Sequence, residues 1–151
     1  MIEAKLKEMG IEIPTAAKPL AAYVPAVKAG GYVYTSGQIP LVDGKLCCTG
    51  KVGKEVSLEE AYAAAKTCAI NCLAAIKTVI GSLDEIEQVV KVVGFVNSAP
   101  GFSAQPKVVN GASEFLGEVF GDKGKHARSA VGVSELPIDS PVEVELIVKL
   151  K

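Results

Sequence analysis

The sequence predicts an α+β domain, a mixed and mostly antiparallel sheet with two helices on one face. Three observations carry that prediction. Ser57 and Glu60 stand at capping-box spacing before a helical-period stripe that runs from Leu58 through Ala61, Ala65, Cys68, Cys72 and Ile76 to Ile80, and Gly81 follows as a stop. At the end of the chain Val142, Val144, Leu146, Val148 and Leu150 alternate with Glu143, Glu145, Ile147 and Lys149, the period of a half-buried strand. Gly30-Gly31 separates two β-rich runs and marks a hairpin. The resulting order is helix, two strands and a short third, long helix, strand, helix, and two strands, which packs as two helices over one sheet.

Taken in order, residues 2–9 form a short amphipathic helix with Ile2, Leu6 and Met9 inward, ended by Gly10. Pro14 to Pro19 reads as a linker, so residues 1–20 are an N-terminal helix and linker on a single domain of residues 1–151. Tyr23 to Gln38 holds the first two strands, with Tyr23 at the start of the first. Asp43-Gly44 marks a turn, and Lys45 to Val52 supplies a third strand. After the long helix, a turn through Asp84 leads to a β-branched run from Val89 to Val96, bounded by Asn97 and Pro100. A second helix begins near Pro106, which suits a first helical position, and carries Val108, Val109, Ala112, Phe115, Leu116, Val119 and Phe120 inward. Its interior pair Asn110-Gly111 is awkward, because a helical glycine costs about 1 kcal/mol relative to alanine. A close backbone approach, a kink or a side-chain role for Asn110 would each explain it, and the sequence leaves all three open.

Arg128 then stands at the mouth of a strand reading Ser-Ala-Val-Gly-Val, followed by a Pro-rich turn from Leu136 to Pro141. The short connection predicts that the last two strands are antiparallel neighbours. Arg128 and Glu143 would then meet at one end of the sheet, over an empty floor of Ala130 and Gly132.

At 151 residues the chain is one domain and long enough to bury a core. Its apolar content is 49% and its mean hydropathy +0.32, with no Trp, so Val, Ile, Leu and Ala must build the core and leave apolar surface for self-association. A net charge of −1 without a basic stripe disfavours nucleic-acid binding. No apolar run approaches the roughly 18 residues of a membrane span, and the N-terminus has no apolar leader, so a cytoplasmic protein is expected. Cys68 and Cys72 fall on a helix's apolar face as core residues, and the side chains of adjacent Cys47 and Cys48 should diverge. A single His, His126, reads as an exposed turn residue, and no metal site is expected. Phosphate-loop, dinucleotide-binding and nucleophile-elbow spacings are missing.

Arg128 with Glu143 is the sharpest chemical candidate. A random Arg–Glu pair is usually a surface ion pair of small consequence. Here the strand-mouth position, the small neighbours and the scarcity of other reactive groups point to a receptor for a small carboxylate metabolite. Arginine presents a planar fork that binds a carboxylate through two parallel hydrogen bonds. Glu143 would hold or deprotonate a water. Tyr23, at a strand edge, is either packing or lining. Ser36 and the backbone N–H of Gly37 either donate to an anion or form the turn.

Thr35-Ser36-Gly37-Gln38-Ile39-Pro40, Ala127-Arg128-Ser129, Leu136-Pro137 and Val142-Glu143-Val144-Glu145 together resemble the RidA/YjgF family, in order and spacing, from about Tyr23 to Leu150. The longer N-terminus and the stretch Val96 to Lys107 resemble a divergent branch of it. The resemblance implies a chorismate-mutase-like fold and a homotrimer with ligand clefts between subunits. It implies hydrolysis of reactive imine and enamine intermediates to 2-oxo acids and ammonia, without a cofactor. Under it Arg128 would clamp the substrate carboxylate and Glu143 would orient the attacking water, with Tyr23, Ser36 and Gly37 lining the cleft. Many deaminase members have a cysteine where this chain has Ala130, and Asn110 falls near an asparagine that often faces the cleft.

Overall fold

Alternation on the strands and the 3.6-residue period on the helices resolve into two layers in the computed structural model, which describes residues 1–18 and 21–151. The end of the expected linker, at Pro19, lies outside the described residues. The helices are α1 (Ile2–Glu8), α2 (Leu58–Ile80) and α3 (Gln105–Phe120). The strands are β1 (Ala26–Ala29), β2 (Tyr32–Thr35), β3 (Leu41–Val42), β4 (Lys45–Leu46), β5 (Ile86–Asn97), β6 (Ala127–Val133) and β7 (Val142–Leu150). The main sheet has the order β1-β2-β7-β5-β6, and α2 and α3 pack on one face of it.

Both ends of α2 are set as the sequence predicts. Ser57 accepts from the Glu60 N–H at 3.1 Å, Glu60 accepts from the Ser57 N–H at 3.4 Å, and Gly81 closes the helix at φ 78°. The α2 face is rich in small residues, and this lets α3 approach closely. A Cβ on Gly111 would lie 1.9 Å from the carbonyl oxygen of Tyr62. Close backbone approach therefore accounts for the helix-interior glycine. By length and mean hydropathy (1.4) α2 is apolar enough to cross a membrane, although Lys66, Asn71 and Lys77 interrupt its apolar run. Half of its apolar 18-residue window is buried within the fold.

The pairing of the last two strands differs from expectation. β6 lies parallel to β5 and β7 antiparallel to it, so β5 separates them. The cause is α3, which carries the chain over the sheet from β5 to β6 as a crossover connection. β7 then returns to the other side of β5, where it pairs with both β5 and β2. That central position explains why Val142, Val144, Leu146 and Val148 are fully buried.

The third strand is also shorter than expected. Lys45–Leu46 pairs only with Leu41–Val42 in a separate hairpin, and Val52 makes isolated bridges. Gly50 and Gly53, at φ 118° and 92°, bend the intervening chain out of strand geometry. Tyr23 precedes the first strand rather than starting it, since β1 begins at Ala26.

Buried Asn97, at the end of β5, ties this loop to the turn before β7. Its Nδ2 donates to Ser140 O at 3.1 Å and to Asp139 Oδ1 at 3.2 Å, and Lys51 Nζ donates to its Oδ1 at 2.9 Å. The turn it holds contains Ile138 and Asp139, both at positive φ, and it sets where Glu143 enters the sheet.

Candidate functional site

Arg128 is in register with Val92 of β5, a residue buried against the helices, and its side chain runs along α3. Nη1 donates to Asn110 Oδ1 at 2.8 Å and to Ser113 Oγ at 3.2 Å, and Nη2 donates to Pro106 O at 3.4 Å. Positions 106, 110 and 113 repeat at helical spacing, so a single face of α3 supplies all three acceptors. Guanidinium has five N–H donors, and two have no partner among the described residues, the number a carboxylate takes from an arginine fork. Asn110 thus has a side-chain role as well as a glycine neighbour.

Two further residues complete this half. His126 is half-buried rather than an exposed turn residue. Its Nδ1 lies 2.6 Å from Gly124 O, and its Nε2 lies 2.8 Å from Ser113 Oγ. Ala130 shares the Arg128 side of β6 and packs on the edge of the core. The expected empty floor is filled at Gly132, where a Cβ would sit 2.7 Å from Gln105 Nε2 and 2.9 Å from Ser98 Oγ.

Glu143 lies on the other side of the sheet. It is in register with half-buried Phe95, on the face without helices. Gly37 packs directly against it, and a Cβ there would lie 2.8 Å from the Glu143 carboxyl carbon. Burial, and then the nearby charge of Glu145, holds the Glu143 carboxyl above its ordinary value. Ser36 forms the turn, donating its N–H to Pro25 O at 2.8 Å and its hydroxyl to Val24 O at 2.6 Å. Tyr23, next in the same segment, exposes 56% of its surface.

The site residues therefore form two groups. Arg128, Asn110 and Ala130 stand at the β6 edge beside α3. Glu143, Gly37, Ser36 and Tyr23 belong to the β1–β2–β7 end. Two strand spacings and a three-residue register offset separate the Arg128 and Glu143 backbones by about 14 Å. Their side chains also leave opposite faces, so the expected Arg128–Glu143 contact does not form within one chain. Placing β5 between the two strands removed it.

Sequence reasoning missed Ser113, although it lies three residues after Asn110 on a helix whose other inward positions are apolar. It also missed the approach of Cys47 and Cys48, whose sulfurs lie 3.6 Å apart. Side-chain alternation holds only within a strand, and β4 ends at Leu46. Burial pushes the Cys48 thiol up to about 12. A cavity of about 650 Å³ between the N-terminal segment and the β3–β4 hairpin includes Glu12, Gln38, Asp43 and Asn71. The Asn71 amide there is engaged by Ile39 O and Leu41 O. Among the described residues no three metal-ligating side chains cluster.

Residues 3–150 match the protein family described as "YjgF/chorismate_mutase-like, putative endoribonuclease". Protein TCP17 of Trypanosoma cruzi is 42% identical over 150 residues, covering 99% of this chain and 94% of that protein. A 2-iminobutanoate/2-iminopropanoate deaminase of Dermatophagoides farinae is 32% identical, covering 93% of this chain and 95% of its own length. The crystal structure of Atu1372 from Agrobacterium tumefaciens, a protein of unknown function, superposes with a TM-score of 0.91 at 44% identity, covering 99% of this chain and 92% of that one. The chain belongs to the RidA/YjgF family and has its chorismate-mutase-like α+β fold.

Proposed function

We propose that the protein hydrolyses small 2-imino acids, and their enamine tautomers, to 2-oxo acids and ammonia in clefts between the subunits of a homotrimer. The observation that carries this reading is the division of the site. An arginine with two spare donors lies at one edge of the sheet, and a carboxyl with raised proton affinity lies toward the other end on the opposite face. A ring of subunits that sets the β6 edge of one chain beside the β1–β2 end of the next brings the halves together. The uncovered face supports association. Val27, Tyr34 and Val131 are 51%, 46% and 45% exposed on it, beside half-buried Val93, Phe95 and Ile147.

In the cleft, Arg128 binds the substrate carboxylate through its two remaining N–H groups and fixes the distance to the adjacent C=N carbon. Glu143 of the neighbouring subunit accepts a proton from water as the water oxygen bonds to that carbon. Its raised affinity for protons suits a base that must also return the proton. Transfer of a proton to the amino nitrogen of the tetrahedral adduct releases ammonia, and the C–O bond becomes the 2-oxo group. Water and iminium ion go in, and 2-oxo acid and ammonium come out, with no electron transfer. Tyr23 and the Gly37 backbone line the Glu143 side.

The test supplies nascent imine from an amino-acid oxidase or from threonine dehydratase and follows 2-oxo acid and ammonia. Release faster than in buffer, lost in Arg128→Ala, supports the reading. Release no faster than in buffer, or unaffected by Arg128→Ala, overturns it.

Ala130 favours a second reading, in which the same cleft binds a carboxylate metabolite without turnover. A methyl group two residues from Arg128 offers no hydrogen bond to a reacting water. Calorimetry showing Arg128-dependent binding of 2-oxo acids, with no hydrolysis, would select it. An endoribonuclease is a weaker reading. Phosphate recognition rests on clustered cations, and this chain has net charge −1 and a single arginine.

A further inference from the structure

Arg128 is the only arginine in the chain and His126 the only histidine. One hydroxyl joins them. Ser113 Oγ lies 3.2 Å from Arg128 Nη1 and 2.8 Å from His126 Nε2. The other ring nitrogen, Nδ1, lies 2.6 Å from Gly124 O. A carbonyl oxygen only accepts, so Nδ1 carries a hydrogen. In the neutral ring Nε2 is then an acceptor, and the Ser113 hydroxyl donates to it. This leaves the Ser113 oxygen lone pairs facing Arg128, and Nη1–H donates to them. One backbone carbonyl thus sets the direction of every hydrogen bond from Gly124 to the guanidinium.

The same wiring determines which face of the guanidinium is free. Both Nη1 hydrogens are engaged, by Asn110 and Ser113, and one Nη2 hydrogen goes to Pro106 O. Among the described residues the Nε–H and the second Nη2–H have no partner. Without the Ser113 acceptor, Nη1 would have a free hydrogen and the group could rotate about its last bonds. Ser113 has a local alternative, since a helical serine can donate to the carbonyl four residues earlier. Its partners here are instead His126 and Arg128.

We propose that Ser113 and His126 are positioning residues for Arg128, holding the guanidinium so that its Nε–Nη2 edge faces the cleft. Carboxylate capture then depends on two residues that do not touch the ligand. This inference rests on the reading of Arg128 as a carboxylate anchor, and its test separates the two claims.

The test uses the full-length protein labelled with nitrogen-15, in which one imidazole and one guanidinium give unambiguous signals. The wild type is expected to show the tautomer with hydrogen on Nδ1, and distinct, slowly exchanging Nη1 and Nη2 signals. In Ser113→Ala, and in His126→Phe, which keeps a ring without the acceptor, the Nη signals should merge through faster rotation. In the same variants KM for imine, or Kd for a 2-oxo acid, should rise about tenfold, the worth of one hydrogen bond to a charged group, while kcat changes less. Ser113→Thr, which keeps the hydroxyl, should restore both. Freely averaged Nη signals in the wild type overturn the proposal. So do altered signals with unchanged KM and Kd, which would make the link structural only. Arg128→Ala tests the underlying reading: if it binds and turns over like the wild type, the anchor reading fails, and the spectra alone still show whether Ser113 restrains the guanidinium.

Discussion

The two faces of the sheet are built to different standards. The face under α2 and α3 is closed, with Val33, Val89, Val92, Val96, Val144 and Val148 at zero exposure. The opposite face alternates Tyr34, Val93, Phe95, Val131 and Ile147 with Lys91, Glu143, Glu145 and Lys149, and none of the described elements packs over it. The closed face would be stable in a single subunit, whereas the open one leaves apolar area that association would bury at about 25 cal/mol per Å². The candidate site follows the same division. Arg128 extends along the helix side, held by three acceptors, and Glu143 stands on the open side. The molecule has a covered half and an open half, and the candidate site residues are divided between them.

The largest effects are expected on activity. Arg128→Ala and Glu143→Gln should each lower kcat/KM for nascent imine by about 10²–10⁴, with the folded state kept by circular dichroism. Arg128→Lys should not recover the loss, because an ammonium group cannot form the two-pronged contact. If Arg128→Lys matches wild type, the role of the fork is wrong.

The closed face should be sensitive to volume. Gly111→Ala places a methyl against the Tyr62 carbonyl, and overpacking of this kind is expected to cost about 3 kcal/mol in urea denaturation. A loss below about 0.5 kcal/mol would mean that the helices separate freely. The open face should respond in assembly rather than folding. Phe95→Lys is expected to shift sedimentation toward monomer while the far-ultraviolet spectrum is unchanged, and an unchanged sedimentation profile would exclude this face from the interface.

The smallest effect concerns the Glu143 charge. Its folded-state proton affinity is raised by burial. A group raised in the folded state contributes stability below its unfolded value, about 4.3, and loses it as pH rises through its folded value. Glu143→Gln should therefore match wild type at low pH and melt about 1–2 °C higher at neutral pH. The opposite sign would show that the ionised carboxylate is stabilised by a partner.

The elements were legible in the sequence where local rules act alone. The capping box at Ser57 and Glu60, the Gly81 stop, the inward set of α3 and the alternation of β7 all hold in the structure. Adjacency was not legible. The Leu136–Pro141 connection is short enough for a hairpin, and only the crossover through α3 places β5 between β6 and β7. Residue types at the site were legible, because a lone arginine at a strand mouth and a glutamate on an alternating strand are visible as letters. Their geometry was not, since it depends on which sheet face each side chain leaves. The Ser113–His126 link was hidden for the same reason, because it spans a helix and a turn whose relative placement no spacing rule gives.

One measurement tests the division of the site most directly. Arg128→Ala and Glu143→Gln subunits, each inactive alone, are unfolded together in equal amounts, refolded, and assayed for imine hydrolysis with the oligomeric state checked by light scattering. If the two residues act from neighbouring chains in a ring, about one quarter of all the clefts in the mixture hold both, and activity should return to about a quarter of wild type. Mixed oligomers as inactive as either parent would contradict the account.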